Sequence, residues 1–432
     1  MKKNVCSSFF TLVFLICLCG MANADGNWTS VNQSGAYNSV IQSQITGGGS
    51  NMGMSATQTG DYNTASQDQI NNQTSVCCSN QQGNDNQATQ TQTDSSIIDM
   101  NARQEGNNLT AVQSQSAVGD SYIACLQKEE NNTITQNQSN SVNVSLDAFQ
   151  AGYFNSISQV QVNATGSSLG SCHEYSGQNN TSIQTQADCQ NSSALIYQSG
   201  VLNNASQDQS NGHDNHAEIA QVGEANVALQ LQNSPLTSFS SAYIYQANSG
   251  QNAVQYMDQG SVGDIAYITQ YAYGGYCYAE QRFINTSGNT ANICQIGGFS
   301  VSNASSAVQL FQGASACTST IYQCGNESDG LNLASQEIWG TNNHASIIQY
   351  GNNYSDPVIN ARQIQYAFDN NAEIEQYGIN NIAEQEQVGY GNTAVLTQNG
   401  INNYAREEQF SFQDTATYHQ SGEGNHILST QG

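Results

Sequence analysis

Glutamine, asparagine and alanine recur at a fixed spacing near the end of this 432-residue chain. A primary amide carries both hydrogen-bond donors and an acceptor, so identical amides stacked about 4.8 Å apart bond to the amide above and the amide below. The pattern therefore predicts hydrogen-bonded ladders rather than catalysis. The residues eleven apart are Gln365, Gln376, Gln387, Gln398, Gln409, Gln420 and Gln431, with Asn370, Asn381, Asn392 and Asn403, and with Ala372, Ala383, Ala394 and Ala405.

Cysteine is the second residue type whose chemistry needs an account. Nine cysteines follow residue 24, an odd number that leaves at least one thiol over after pairing. Three pairs are predicted as disulfides that would staple irregular parts of the repeat, although buried free thiols are the alternative. These pairs are Cys172 with Cys189, Cys277 with Cys294, and Cys317 with Cys324.

Histidine and the usual enzyme motifs give no catalytic pattern. The sequence contains no HExxH, GxSxG or Walker phosphate loop. His216 and His344 each follow a ladder asparagine, a position predicted to face solvent. We therefore expect a protein that is not an enzyme and needs no cofactor or metal ion.

The elements that position the amides follow from their spacing. Successive side chains of a strand point to opposite faces, so the asparagine, the alanine and the final glutamine of each unit face the same way. At Asn381 this set includes Ala383 and Gln387, whereas Glu384 and Glu386 have the opposite parity. The charged residues must face water, so the amides are predicted to lie inside.

The same unit occurs upstream with a longer step. There one strand carries an additional glutamine, and these glutamines lie 23 residues apart: Gln67, Gln90, Gln113, Gln136 and Gln159. Two half-units make one turn of 22–23 residues, which predicts an all-β fold. We expect a β-solenoid of strand-turn-strand rungs, roughly eighteen in number.

Composition and charge restrict the possible functions. Only 9% of the residues are charged and 37% are hydrophobic, which argues against an ordinary globular core. The formal net charge is −26, so neither nucleic acid nor an anionic membrane is expected as a partner.

Four segments are predicted along the chain. Residues 1–24 resemble a secretory signal peptide, with Lys2 and Lys3, a short apolar run and a cleavage site at Ala22-Asn23-Ala24. Residues 25–232 carry repeats with a 23-residue step, 233–340 carry irregular repeats with cysteines, and 341–432 carry regular half-repeats. No transmembrane segment is expected in the mature chain.

The unit Q-x-G-x-x-N-x-A-x-x-x-Q, as in Gln58 to Gln69 and Gln198 to Gln209, resembles the curlin repeat. The resemblance extends with interruptions from Gln33 to Gln431, although this chain is longer than typical curlins and richer in cysteine. It implies a secreted strand-turn-strand solenoid that polymerises into the amyloid of a biofilm matrix. Implied partners are further copies of the chain, a nucleating or major curlin subunit, and an outer-membrane secretion pore.

Two functions remain open at this stage. The first is a fibre subunit at the cell surface, favoured by a sequence that stays in phase up to Gln431 without a cap. The alternative is a monomeric β-solenoid that acts as a surface adhesin or binds a ligand or ice. A flat ice-binding face would need threonine at every rung, whereas the outward positions mix threonine, glutamate, arginine, tyrosine and valine.

Overall fold

Strands form throughout the part of the chain that the structure describes, and no helix occurs there. The structure, a computed structural model, describes residues 27–45, 51–173, 177–233, 237–258, 260–272, 276–297, 304–325, 331–351 and 358–432. The predicted signal peptide, residues 1–24, lies outside these ranges. Within them, 34 strands alternate between two parallel sheets.

The first sheet contains the odd-numbered strands. They are β1 (Trp28–Ser34), β3 (Gly53–Thr59), β5 (Gln73–Gln82), β7 (Ser96–Asn107), β9 (Gly119–Glu130), β11 (Ser145–Gln150), β13 (Ser168–His173), β15 (Ser193–Val201), β17 (His216–Glu224), β19 (Ser241–Ser249), β21 (Ile265–Ala272), β23 (Thr290–Gly297), β25 (Thr318–Gly325), β27 (His344–Gly351), β29 (Asn371–Ile379), β31 (Thr393–Ile401) and β33 (Thr415–Glu423).

The second sheet contains the even-numbered strands. They are β2 (Ser39–Ile45), β4 (Thr64–Ile70), β6 (Gln87–Thr93), β8 (Thr110–Ser116), β10 (Thr133–Ser139), β12 (Ser156–Val162), β14 (Thr181–Ala187), β16 (Asn204–Ser210), β18 (Val227–Asn233), β20 (Asn252–Asp258), β22 (Tyr276–Ile284), β24 (Ala304–Ser315), β26 (Leu331–Thr341), β28 (Val358–Phe368), β30 (Ile382–Tyr390), β32 (Tyr404–Gln409) and β34 (His426–Gln431).

Each strand pairs in parallel with the strand two positions along the chain, so one turn of the chain adds one strand to each sheet. Gln376 of β29 lies opposite Gln398 of β31, and Gln385 of β30 lies opposite Glu407 of β32. This arrangement confirms the predicted β-solenoid, and its 17 strands in the first sheet are close to the predicted eighteen rungs.

The length of a turn varies more than the repeat suggested. The offset between stacked glutamines is 22 residues near the C-terminal end, 23 over much of the first half, and as much as 28 in the middle. The strands that flank the longer steps still pair in register, as β22 does with β24, and a register shift occurs between Gln312 and Ala314 of β24. The described strands between residues 233 and 340 pair continuously in both sheets.

The inside of the solenoid combines small apolar residues with amides. From β15 to β31 the first sheet contributes a column of isoleucine and finally leucine, which packs against an alanine column of the second sheet. Ile374 and Ala383 are both 0% exposed. Small residues on one wall keep the sheets close, so each glutamine can reach across to the opposite backbone.

Many turn residues have a positive φ, in the left-handed region of the backbone. Asn380 and Asn402, one turn apart, have φ of 52° and 56°, a conformation that asparagine adopts more readily than most residues. Gly200 has a φ of 110°, and a Cβ atom there would lie 2.0 Å from the carbonyl oxygen of Gly223 in the next rung. Glycine is therefore required at position 200 by the stacking of this turn, whereas Glu129, Asn248 and Ala367 take the same position after other ladder glutamines, with φ of 69°, 80° and 82°.

Candidate functional site: the stacked amide columns

Glutamine side chains form three columns inside the solenoid, one on the first sheet and two on the second. The first column comprises Gln33, Gln58, Gln81, Gln104, Gln127 and Gln150, then Gln198, Gln221, Gln246, Gln270, Gln295, Gln323, Gln349, Gln376, Gln398 and Gln420. The second comprises Gln42, Gln67, Gln90, Gln113, Gln136, Gln159, Gln184, Gln207, Gln230, Gln255, Gln281, Gln309, Gln336, Gln363 and Gln385. The third comprises Gln44, Gln69, Gln92, Gln115, Gln138, Gln161, Gln186, Gln209 and Gln232, then Gln365, Gln387, Gln409 and Gln431.

The seven glutamines with an eleven-residue spacing therefore divide between two columns. Gln376, Gln398 and Gln420 lie on the first sheet, where Gln376 Nε2 donates to Gln398 Oε1 at 2.8 Å and Gln398 Nε2 to Gln420 Oε1 at 2.7 Å. The other four, Gln365, Gln387, Gln409 and Gln431, bond to one another in the third column on the second sheet. An eleven-residue step crosses to the other sheet, so only every second step stays in one column.

Many column glutamines donate two hydrogen bonds through the amide nitrogen, one to the next glutamine and one to the backbone. Gln398 Nε2 also donates to the backbone carbonyl of Ile382 in the opposite sheet, at 2.9 Å. Gln136 likewise donates to Gln159 at 2.8 Å and to the carbonyl of Ala124 at 3.0 Å. The columns thus hold successive rungs together and join the two sheets, and they satisfy most of the buried amides. Gln150 Nε2 and Gln198 Oε1, on either side of the break in the first column, have no partner among the described residues.

The amide bonds all run in one direction along the chain. In every glutamine pair the residue of the earlier rung donates through Nε2 and the residue of the later rung accepts through Oε1, as from Gln67 to Gln90 to Gln113. Each rung consequently presents oxygen acceptors on one side and N–H donors on the other.

Asparagines form further columns at the turns. Asn381 Oδ1 accepts from the backbone N–H of Asn403 at 3.2 Å, and its Nδ2 donates to the carbonyl of Gly400 at 3.2 Å. Asn370 Oδ1 accepts in the same way from Asn392 N–H at 3.0 Å. These asparagines, like the four repeat alanines Ala372, Ala383, Ala394 and Ala405, are at most 1% exposed.

An apolar segment interrupts the third column, which sequence reasoning missed. Between Gln232 and Gln365 the column positions are taken by Met257, Phe283, Phe311 and Ile338. The two phenylalanine rings stack with centroids 4.8 Å apart, and Gln365 Oε1 accepts no hydrogen bond among the described residues. The two phenylalanines lie where the offset between rungs is longest. The irregular spacing of the repeat between residues 233 and 340 was the feature of the sequence that marked this segment.

A glutamate ends the second column. Glu407 follows Gln385, is 1% exposed, and receives a long hydrogen bond of 3.4 Å from Gln385 Nε2 to its Oε2. Its Oε1 has no partner among the described residues, and Ser429 occupies the next position. Burial raises the pKa of the Glu407 carboxyl to about 7, against a hydrogen bond from Gln385 that lowers it.

No S–S bond joins the cysteines of the described residues, so the structure does not contain the three predicted disulfides. In each predicted pair one cysteine is buried and the other is on the outer side of a strand or partly exposed. Cys189, Cys277 and Cys317 point inward, whereas Cys172, Cys294 and Cys324 do not. The spacing placed each pair in one rung or in adjacent strands but ignored the parity of the side chains. Burial raises the pKa of the Cys277 thiol to about 12, which suppresses the reactive thiolate.

Apart from Asp264 and Glu407, which are buried, the charged side chains lie toward the outer surface. Arg406 lies across from Glu384 with an Nε–Oε2 distance of 3.9 Å and contacts Glu408 within its own strand at 2.5 Å. His216 Nδ1 hydrogen-bonds with Ser193 Oγ at 2.7 Å. The described residues contain no group of three histidine, cysteine or acidic side chains arranged to hold a metal ion. Nor do they contain a helix that could cross a membrane.

The fold and the columns define a class of protein, a parallel β-solenoid whose inside is made largely of stacked amides. Comparison with protein families agrees, since the model of the Curlin associated repeat matches residues 190–223. This stretch spans β15 to β17 and includes Gln198, Gly200, Asn203, Ala205 and Gln209, so the resemblance to the curlin repeat is confirmed there. A search of curated proteins finds no match.

Proposed function

We propose that this chain is the structural subunit of an extracellular, curli-like amyloid fibre that grows by stacking of solenoid rungs from successive copies. The observation that carries the proposal is the self-complementarity of the rung. Most rungs offer amide acceptors to one neighbour and amide donors to the other at the same positions, as at Gln376, Gln398 and Gln420. A rung of a second copy can make the same bonds as a rung of the same chain.

The outermost described strand supports this mode of growth. In β34 the inward residues Ile427, Ser429 and Gln431 are only partly buried, because β34 pairs with β32 alone among the described strands. The equivalent residue one rung earlier, Ala405, is 1% exposed. The edge of β34 has backbone groups that are unpaired among the described residues, and its inward side chains are apolar or polar without charge. Another strand can pair with such an edge.

The curlin repeat fits a secreted or surface location and a structural rather than enzymatic role. Within the proposal, the partners are further copies of this chain, with a related nucleating or major subunit and an outer-membrane pore for export. The alternative, a monomeric adhesin or ligand-binding solenoid, has no observation in its favour beyond the same fold.

Fibre formation by the purified mature protein tests the proposal. We expect thioflavin-binding filaments with reflections near ~4.7 Å and ~10 Å. Ile427→Asp places a charge on the inner row of β34 and should lengthen the lag at least tenfold. The adjacent Leu428→Asp, at a residue 66% exposed and outward, should leave the lag within about twofold of the parent.

Two results would contradict fibre growth through this edge. One is a parent protein that stays monomeric for days at high concentration under reducing and oxidising conditions. The other is an equal lag for the Ile427 and Leu428 variants.

A further inference from the structure

In the first sheet, the longest run of strands without a charged residue on the outward side covers five strands, although the chain as a whole has a net charge of −26. On the outward side of β19, β21, β23, β25 and β27 no position is Asp, Glu, Lys or Arg. Six tyrosines mark this surface, which we term the neutral tyrosine face: Tyr243, Tyr245, Tyr267, Tyr271, Tyr322 and Tyr350.

The tyrosines are ordered against one another across the rungs. Tyr243 stacks on Tyr267 with ring centroids 4.9 Å apart and planes 11° from parallel. Tyr350 stacks in the same way on Tyr377 of β29 at 5.0 Å, and lies 5.6 Å from Tyr322. Tyr267 is 40% exposed and Tyr350 is 37% exposed. The face is therefore a pre-arranged apolar surface with hydroxyl groups, held in place by the sheet beneath it.

Acidic residues border the face on both sides. Glu218 and Glu224 of β17 precede it, and Glu373 and Glu375 of β29 follow it. A basic partner would find no carboxylate inside the face, and an acidic partner would meet these borders. Depletion of charge with enrichment of tyrosine is the composition of the buried centre of protein–protein interfaces.

The area of the face fits a contact that is weak between two single copies and strong when it is repeated along two filaments. Five strands spaced ~4.8 Å apart, with about seven residues of ~3.3 Å each, cover roughly 550 Å² per copy. Two such faces would bury about 1,100 Å², close to the lower limit for a specific interface. Along a filament the same contact recurs once per subunit, so its contributions accumulate.

We propose that the neutral tyrosine face is the surface through which two copies pack side by side. The two copies are related by a two-fold axis perpendicular to the solenoids, so each face covers the other. Among the described strands of the first sheet, these five form the longest run on which two highly acidic copies can approach without juxtaposing like charges, and the acidic borders limit the overlap to the five strands. Side-by-side pairing is separate from end-to-end growth and uses none of the same residues.

A charge at the centre of the face tests the pairing. Asn292 of β23 is exposed and outward, so Asn292→Glu leaves the inside unchanged but puts two carboxylates into the pair. Val308→Glu is the matched control on the outward side of β24 in the other sheet. We expect paired filaments in electron micrographs of the parent and of Val308→Glu, and at least a fivefold smaller paired fraction for Asn292→Glu.

Cross-linking gives a second readout. Cys294 and Cys324 lie on the central strands of the face. Oxidation by diamide, which takes up the two thiol hydrogens as the S–S bond forms, should link copies of the parent, and the double variant Cys294→Ser, Cys324→Ser should lose at least most of this product.

The outcomes of the two proposals are distinguishable. Absence of any filament would overturn the fibre, whereas single-width filaments of the parent would overturn the pairing. Equal pairing of Asn292→Glu and the parent, or equal loss with Val308→Glu, would also overturn it. So would single-width parent filaments that bind a neutral polysaccharide through this face, because the occupant would then be a glycan.

Discussion

Two buried carboxylates take positions that amides occupy in other rungs, and their surroundings differ. Asp264 accepts hydrogen bonds from Thr286 Oγ1 at 2.6 Å, from the backbone of Asn289 at 2.8 Å and from Asn289 Nδ2 at 3.0 Å. Glu407 has a single long bond from Gln385, and Ser429, which lies opposite it on β34, accepts a hydrogen bond from Tyr418 at 2.5 Å. Burial raises the pKa of both carboxyls, and the three hydrogen bonds to Asp264 oppose this effect more fully than the single bond to Glu407 does. A protonated Glu407 has nearly the shape of the glutamine that other rungs carry at its position.

The pH dependence of the last rungs should reflect Glu407. Burial raises its pKa in the folded chain to about 7, from an ordinary value of 4.5. The folded state therefore binds the proton more tightly, and the stability is fully present below about pH 4.5 and is lost as pH rises through 7. The difference has an upper limit on the order of 3 kcal/mol at ~1.4 kcal/mol per pKa unit.

Glu407→Gln restores an amide and should remove this dependence. We expect faster hydrogen exchange of β32 and β34 in the parent than in the variant at pH 8, and similar exchange of the two at pH 5. Comparing both proteins at the same pH cancels the intrinsic exchange rate. Identical exchange at pH 8 would mean that Glu407 is not strained by its burial.

At the scale of the element, the regular repeat predicted register well. The parity of Asn381, Ala383 and Gln387 places all three inside, and each of them is 0% exposed. The parity of Glu384 and Arg406 likewise puts the pair on the surface and opposite each other. A period of two along a strand and a fixed step between strands leave one consistent arrangement.

The irregular rungs could not be predicted in the same way. Turn length is set by residues that do not pack inside, so the 28-residue step between Gln281 and Gln309 has no counterpart in the repeat. Where the spacing of the repeat becomes irregular, the sequence no longer shows which residues lie in the glutamine columns. Phe283 and Phe311 could therefore not be assigned to the third column. The cysteine pairs failed for a related reason, since distance along the chain says nothing about which face a side chain takes.

The turn glycines give a prediction at this scale. Gly200→Ala should be strongly destabilising, because φ is 110° and the new Cβ would meet the carbonyl oxygen of Gly223 at 2.0 Å. Gly288→Ala is the control, since its φ is 63° and nothing lies within 4 Å of the added atom. Gly288→Ala should lower the free energy of unfolding only by the cost of placing alanine in the left-handed region, roughly 1–2 kcal/mol.

Denaturant resistance of the two variants measures the difference. Gly200→Ala should lower the unfolding midpoint clearly more than Gly288→Ala. Equal midpoints would show that the stacked turns can separate without cost.

For the whole molecule, the dominant quantity is the negative charge. Copies that stack end to end bring their net charges of −26 together, and columns such as Glu386 above Glu408 repeat within each copy. Salt screens charges over about 10 Å at 0.1 M. We therefore expect a shorter lag for fibre formation at high than at low ionic strength.

The glutamate column can be tested by the same assay. Glu386→Gln removes one charge from the column and should reduce the salt sensitivity, while the inner amides stay unchanged. A lag that is the same from about 20 mM to about 300 mM salt would count against electrostatic control of assembly.

The common direction of the amide bonds has an electrical consequence. Each glutamine amide is a small dipole, and dipoles aligned head to tail in a hydrogen-bonded chain add and polarise one another. From Gln33 to Gln420 the oxygen ends point toward the first rung and the N–H ends toward the last, so the rod is polarised along its axis. Its two ends are chemically different, and an incoming copy can continue the chain of dipoles in only one orientation. Two rods paired about a perpendicular two-fold axis would lie with opposite polarisation, and their fields would cancel.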